Sequence, residues 1–193
     1  MEWQDGKRRC PWANPKNELY VAYHDKEWGV PVHDDHKLFE MLVLECFQAG
    51  LSWECVLNKR EAFRKAFDGF DLDKISAYNE AKVESLMKDA GIIRNRAKIE
   101  ATINNAQIFA FIQKEFGTFS AYLWGFTKGE IIYETGLAAS PLSDTISKDL
   151  RMRGMKFVGS TVVYAYLQAV GVIFAHDDGC FLSREGERAS KRN

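Results

Sequence analysis

The sequence predicts an all-α protein that forms one domain. Apolar residues recur at helical spacing along most of the 193 residues, and the one strand-like run, 131–133, is too short to build a sheet. The chain has four prolines, no Ser/Gly-rich linker and no internal repeat, so we expect a single helical domain over residues 1–183. The polar, basic segment 184–193 is expected to be a disordered tail.

Caps and apolar periodicity predict the helices of the first half in order. Asp34 or Asp35 caps a helix that ends at Gly50, and a second helix begins near Ser52 and extends to about Phe67. The next predicted helices cover residues 71–78, 80–89 and about 95–116.

The second half is expected to contain two longer helices. Ser140 and Pro141 predict a helix start, because proline is favoured at the first helical position, and Gly154 ends that helix. Another helix starts near Gly159. The apolar run Val162–Ala175 is interpreted as a buried core helix, since it is too short and too polar to cross a bilayer.

Composition excludes several classes of protein. With 26 Lys+Arg against 27 Asp+Glu the net charge is −1, so a nonspecific polycation is excluded and any nucleic-acid contact requires a local basic patch. The N-terminus has no apolar signal core, which predicts a cytoplasmic protein without membrane contact. In that reducing compartment the four cysteines are expected to be thiols or metal ligands, with Cys46 and Cys55 packing inside helices.

Two pairs of candidate metal ligands lie near opposite ends of the chain. Cys10 and His24 form the first pair, and His176 and Cys180, spaced by three residues, form the second. A Cys2His2 set is one that tetrahedral Zn²⁺ prefers, and with no open coordination position such a site is structural. On spacing alone, free thiols with core or surface histidines remain the alternative.

The segment 151–161 contains a possible phosphate-binding hairpin. Gly154 and Gly159 separate two helices, and the second helix would offer free backbone N–H groups to an anion. Arg151, Arg153 and Lys156 supply the local positive charge that the whole chain lacks. A plain corner between two helices is the alternative interpretation.

Glu45 directly follows Leu44 on or beside the apolar face of its helix. A carboxylate there is costly unless something pairs with it, so Glu45 is either a ligand-binding group in an aromatic pocket or a solvent-facing residue. The aromatic residues that could build such a pocket are Trp12, Tyr20, Tyr23, Trp28 and Trp53.

Taken together, the segments resemble the bacterial 3-methyladenine DNA glycosylase I family of the helix-hairpin-helix glycosylase superfamily. The resemblance covers about residues 10–180, and its matching segments are 19–31, 38–41, 44–45, 48–53, 89–94, 98–99, 156–159 with Thr161, and 176–180. One departure is Cys46-Phe47 after Glu45, where members of the family often have a small residue and a variable one.

The resemblance implies a helix-hairpin-helix glycosylase fold, in which one helical domain can have two lobes that flank the base pocket, with one structural Zn²⁺ joining the N- and C-terminal segments. Its implied ligands are Cys10, His24, His176 and Cys180. The implied base pocket consists of Glu45, Tyr23 and Trp53, with walls from Tyr20, Trp12 and Trp28. The implied DNA contacts are Gly50 and Leu51, which enter the duplex, and the hairpin residues Lys156, Val158, Gly159 and Thr161.

The implied activity is base excision by a monomer acting on double-stranded DNA that contains alkylated adenine. N3-methylation makes adenine cationic and a good leaving group, so the enzyme flips the nucleotide out, binds the base and admits water. Ser160 and Thr161 stand where bifunctional relatives carry a lysine, so no Schiff base forms and an abasic site remains. Asp177 and Asp178 are expected to serve the metal site or a cap rather than catalysis.

Two other classes compete with this interpretation. One is a catalytically inactive protein that binds alkylation damage. The other is a hydrolytic zinc enzyme such as a deaminase, whose His-x-Glu and Pro-Cys-x-x-Cys signature is absent.

Overall fold

The computed structural model describes Trp3 and residues 5–183; the predicted tail, 184–193, lies outside the described residues. Within that part the chain forms ten α-helices and two short strands: α1 Glu18–Lys26, α2 Asp35–Gln48, α3 Trp53–Leu57, α4 Arg60–Ala66, α5 Leu72–Ser76, α6 Glu80–Lys88, α7 Arg96–Phe116, α8 Phe119–Gly125, β1 Ile132–Tyr133, α9 Pro141–Met152, α10 Ser160–Ala169 and β2 Ile173–Phe174. The predicted helical class is confirmed.

Helix α2 lies at the centre of the core. Asp34 caps it by accepting a hydrogen bond of 2.8 Å from the backbone N–H of Lys37, and every residue of 38–47 is buried. A helix buried on all sides must be surrounded by other elements, and α2 packs against α3, α7, α8 and α10. The predicted helix start at Ser140 and Pro141 is also confirmed, because the side chains of Ser140 and Ser143 form a reciprocal capping box at α9.

The prediction of one helix over Val162–Ala175 is wrong. Helix α10 ends at Ala169, the chain turns at Gly171, and β2 follows as a parallel partner of β1, with Ile132 opposite Ile173. Gly171 has φ +74°, and a Cβ there would lie 2.4 Å from the backbone of Val30 and Pro31, so only glycine fits. The strand-like run 131–133 therefore does pair, as one edge of a two-stranded sheet.

The predicted helix from Ser52 to Phe67 is two helices, α3 and α4, separated at Asn58–Lys59. Two short helices, α1 and α8, were not predicted. Asn17 caps α1 and Thr118 caps α8 through their side chains, and these caps are the local signals that mark both starts. Among the described residues, no helix is long and apolar enough to cross a membrane.

Candidate active site

A cavity of about 170 Å³ opens where α1, α2, α3 and α10 meet. All six residues expected to form a base pocket line it, together with three that were not predicted: Trp12, Tyr20, Tyr23, Trp28, Glu45 and Trp53, with Gln48, Ala165 and Gln168. The volume is below the roughly 300–1,000 Å³ of sites for drug-sized ligands, so the cavity suits one small ligand.

Glu45 is a buried carboxyl group of this cavity without a hydrogen-bond partner. It is 3% exposed, and its Oε2 has no hydrogen-bond partner among the described residues. Burial raises the pKa of Glu45 from 4.5 to about 8. The solvent-facing interpretation of Glu45 is therefore wrong.

Glu40, on the same helix, shows what an ordinary buried carboxylate of this protein looks like. Its Oε1 accepts hydrogen bonds from Arg64 at 2.7 and 3.1 Å, so its burial is compensated within the protein. Glu45 lacks such a partner, and a cationic ligand could supply one.

The aromatic side chains of the cavity form two contacting groups. Tyr23 and Trp53 are in contact, with ring centroids 5.1 Å apart and planes tilted by 44°, and Trp12 lies 5.3 Å from Tyr20. Because Tyr23 and Trp53 touch, their rings leave no space for a flat ligand between them, and such a ligand could stack only on the wall that this pair presents to the cavity. Electron-rich faces of this kind attract a cation.

Three of the residues that line the cavity were not predicted from the sequence. Gln48 lies one turn after Glu45 on α2, so helical spacing could have placed it at the same face. Ala165 and Gln168 come from α10, which is distant in sequence, and no local pattern points to them.

Cys10, His24, His176 and Cys180 converge on one point. All four are buried, and their ligand atoms lie within 4.8 Å of one another. The Cys180 Sγ is 3.5 Å from Nε2 of His24 and 3.5 Å from Nδ1 of His176. This buried Cys2His2 group could hold a metal ion. His176 and Cys180 lie after β2 rather than on a helix, so the group joins the N-terminal segment to a turn.

The outer nitrogens of both imidazoles are oriented by hydrogen-bonding groups. His24 Nδ1 lies 2.8 Å from Asp25, which also accepts hydrogen bonds from Arg9, and His176 Nε2 lies 3.3 Å from the carbonyl oxygen of Trp28. Such partners fix the ring nitrogen that faces the cluster centre. The pKa of the Cys180 thiol is lowered because Cys10, His176 and His24 all hydrogen-bond to it, which favours the thiolate form that binds metals.

The segment 153–159 forms a tight hairpin between α9 and α10. Three of its carbonyl oxygens point inward. That of Gly154 accepts a hydrogen bond from the Asn104 side chain, that of Lys156 from the Asn105 side chain, and that of Val158 from the Ser147 hydroxyl. Gly159 precedes α10 without a side-chain cap. The hairpin thus leaves backbone N–H groups at the start of α10 for an external anion. Of the residues predicted to contact DNA, Lys156, Gly159 and Thr161 are exposed, whereas the Val158 side chain is buried.

Gly50 and Leu51 form an exposed turn beside the cavity. Gly50 has φ +82°, and the Leu51 side chain is 43% exposed. The Leu51 N–H donates to the carbonyl of Gln48 at 2.6 Å, which ties the turn to the end of α2. An aliphatic side chain therefore projects to solvent next to the aromatic cavity.

Comparison with known proteins gives consistent results. The family model described as methyladenine glycosylase matches residues 12–183. The chain is similar to DNA-3-methyladenine glycosylase 1 of Escherichia coli (strain K12), with 46% identity over 178 residues that cover 89% of this chain and 95% of that protein.

Solved structures are similar over nearly the same range. One is a 3-methyladenine DNA glycosylase I with a TM-score of 0.87 and 43% identity, covering 91% of this chain and 99% of that one. Another, from Staphylococcus aureus, is described as showing the structural basis of 3-methyladenine recognition; its TM-score is 0.83 with 34% identity, covering 86% of this chain and 91% of that one.

Proposed function

Because the chain belongs to the methyladenine glycosylase family, we propose that it is a DNA-3-methyladenine glycosylase I. It hydrolyses the N-glycosidic bond of 3-methyladenine in double-stranded DNA and leaves an abasic site. The observation that carries this proposal is Glu45, a buried carboxylate without a protein partner in a cavity of Trp and Tyr rings.

The cavity distinguishes a methylated base from adenine by charge. A cationic base that stacks on the Tyr23–Trp53 wall gains roughly 0.5–2 kcal/mol per cation–π contact, which neutral adenine does not gain. Its positive charge also favours the ionised form of Glu45, which accepts hydrogen bonds from the exocyclic amine. As the glycosidic bond breaks, the enzyme holds the departing base in place while water attacks the sugar carbon.

The 153–159 hairpin and the following helix form the helix-hairpin-helix element of this fold. Backbone N–H groups at the start of α10 bind a DNA phosphate, and Lys156 and Thr161 add polar contacts beside it. Since Val158 is buried, it contributes only through its backbone. These contacts carry no sequence information, which suits an enzyme that searches for damage anywhere in the genome.

The Gly50–Leu51 turn fills the gap that the flipped nucleotide leaves in the duplex. Leu51 offers an apolar surface against which the neighbouring bases stack, and it lies beside the cavity that receives the base. Extrusion of the nucleotide and capture of the base thus occur at neighbouring points of one chain, which acts as a monomer.

The enzyme is monofunctional. Bond cleavage through a Schiff base needs a lysine amine at the sugar, and no lysine lines the cavity among the described residues. Ser160 and Thr161 follow the hairpin glycine instead. Water is therefore the nucleophile, and the DNA strand stays intact.

The Cys2His2 cluster holds one structural Zn²⁺. Two thiolates and two imidazoles are the donors that tetrahedral zinc prefers, and the four ligand atoms already converge within 4.8 Å. Bound zinc would cross-link the N-terminal segment to the turn after β2. Asp177 and Asp178 lie in that turn, where the Asp177 carbonyl accepts a hydrogen bond from the Cys180 N–H, and they serve its shape rather than catalysis.

Chromatographic identification of the base released from methylated duplex DNA tests the proposal. Release of 3-methyladenine with an intact strand is expected. Tight binding to methylated DNA without any base release would instead support the alternative, an inactive damage-binding protein.

A further inference from the structure

Helix α7 contacts the end of α2, which leads into the Gly50–Leu51 turn, and it also contacts the 153–159 hairpin. Both elements are proposed to bind DNA, whereas α7 itself does not line the cavity. Two buried polar residues on it, Lys98 and Asn105, make these contacts. They are seven positions apart, about two turns, so their side chains project from the same face of the helix.

Lys98 holds the end of α2. Its Nζ donates to the carbonyl of Phe47 at 2.9 Å and to that of Ala49 at 2.6 Å. The last turn of α2 has no basic residue of its own, so Lys98 is the cation that stabilises its C-terminal carbonyls. Gly50 and Leu51 follow immediately, and their position depends on this anchor.

Asn105 holds the hairpin. The side-chain Nδ2 of Asn105 donates to the backbone carbonyl of Lys156 at 2.9 Å, and its side-chain Oδ1 accepts from the backbone N–H of Lys156 at 2.8 Å. The next residue, Phe157, has φ +56° and carries its ring 6.0 Å from Lys98 Nζ. A non-glycine residue in the left-handed region needs such support from its surroundings.

We propose that Lys98 and Asn105 are positioning residues that set the distance between the Gly50–Leu51 turn and the 153–159 hairpin. The inference rests on the proposed function. When a duplex binds, one of its phosphates contacts the hairpin while the Gly50–Leu51 turn occupies the gap left by the flipped nucleotide. The spacing between hairpin and turn therefore determines the affinity for a duplex with a flipped-out nucleotide. Neither Lys98 nor Asn105 lines the aromatic cavity, which binds the base alone, so base binding should depend on this spacing much less than duplex binding does.

The test separates DNA binding from base binding in Lys98→Met, Lys98→Arg and Asn105→Asp. One probe is a duplex with a tetrahydrofuran abasic-site analogue; the other is free 3-methyladenine, followed by tryptophan fluorescence. For Lys98→Met and Asn105→Asp we expect about a tenfold or greater rise in Kd for the duplex. The Kd for the free base should stay within about twofold of wild type, and Lys98→Arg should restore most of the duplex affinity.

Lys114→Met is the matched control, because it removes the same charge from an exposed position of α7 and should leave both Kd values unchanged. The salt dependence of duplex binding supplies a second readout. A lysine that contacts phosphate directly lowers the slope by about one when removed, whereas Lys98 binds carbonyl groups and its loss should leave the slope unchanged.

Wild-type duplex affinity in Lys98→Met, a reduced salt slope, or an equal loss of free-base affinity would each overturn the inference. If Lys98→Met does not fold, Asn105→Asp decides the matter by the same comparison, because it leaves the end of α2 intact. Failure of the wild-type protein to release 3-methyladenine would refute the proposed function separately.

Discussion

Trp12 and Trp28 meet edge to face with ring centroids 4.8 Å apart, and each also packs against a histidine of the Cys2His2 cluster. The ring of Trp12 lies 5.1 Å from that of His24, and the ring of Trp28 lies 4.7 Å from that of His176. One wall of the cavity is therefore built directly on the candidate metal ligands. The metal site and the base site are parts of one packed unit, although they differ in chemistry.

Replacing a ligand should remove the metal and lower stability. We expect about one zinc per chain in protein purified without chelator and much less in Cys180→Ser. Because three ligands no longer close the site, the Tm should fall by about 5 °C or more, where 1 kcal/mol corresponds to about 2–4 °C for a domain of this size. Metal analysis and thermal unfolding measure both effects. Cys55→Ser, outside the cluster, should keep the metal and the Tm, and wild-type protein without zinc would refute the site.

Metal removal should also weaken base binding. Without a metal to orient His24 and His176, the rings of Trp12 and Trp28 lose their fixed support, so the cavity wall becomes heterogeneous. We expect the Kd for free 3-methyladenine, measured by tryptophan fluorescence, to rise about tenfold after chelation and to recover when zinc is added back. An unchanged Kd in protein confirmed as metal-free would show that the wall keeps its geometry without the metal.

Loss of the Glu45 charge should slow catalysis more than it affects folding. Glu45→Gln and Glu45→Ala keep the aromatic walls, so both variants should fold and bind undamaged DNA normally. Release of 3-methyladenine should fall by one to three powers of ten, because a charge-assisted contact of roughly 1.5–3 kcal/mol or somewhat more is lost. Single-turnover base release from methylated DNA is the measurement.

Glu61→Gln is a suitable control for these variants, since Glu61 is an exposed glutamate on α4 that does not line the cavity. Its single-turnover rate should equal that of wild type. If the Glu45 variants and Trp53→Ala all release the base at the wild-type rate, the pocket does not lie at this cavity.

The raised pKa of Glu45 predicts a pH dependence of stability. Folding raises this pKa from 4.5 to about 8, so between these values the folded state holds a proton that the unfolded state has lost. The contribution of Glu45 to the free energy of unfolding therefore becomes less favourable as the pH rises from about 4.5 to about 8. Glu45→Gln removes this dependence, so it should gain stability relative to wild type over that range. Urea unfolding of both proteins at pH 5, 6, 7 and 8 tests the sign; a difference that does not change with pH would contradict it.

Much of the helical framework was predictable because its signals are local. Ser140 caps α9, and Asn95 caps α7, at the positions their patterns indicate. The errors occur where tertiary contacts decide. The apolar run after Ser160 is long enough for one helix, yet α10 ends at Ala169 and the chain turns at Gly171, where the close backbone of Val30 and Pro31 leaves room only for glycine.

The candidate site likewise has features that local sequence predicts and features that only tertiary packing decides. The apolar neighbours of Glu45 in its helix indicate that its burial is costly. Whether another helix supplies a partner, as α4 supplies Arg64 to Glu40, depends on packing that the local sequence does not reveal. Gln168 and Ala165 join the cavity only because α10 packs against α2. The convergence of Cys10 with Cys180 likewise requires the whole fold.

A substitution at Gly159 should change stability and DNA affinity in opposite directions. Gly159 is the N-cap of α10, its φ of −64° is open to any residue, and a Cβ there would meet nothing within 4 Å. Gly159→Asp should fold and should raise stability by a few tenths of a kcal/mol, because aspartate caps a helix better than glycine. The same carboxylate occupies the place proposed for a DNA phosphate and repels it, so affinity for damaged and undamaged duplexes should fall alike, by tenfold or more. Thermal unfolding and duplex titration measure the two effects, and Gly159→Ala separates bulk from charge. If Gly159→Asp binds both duplexes as wild type does, the phosphate contact lies elsewhere.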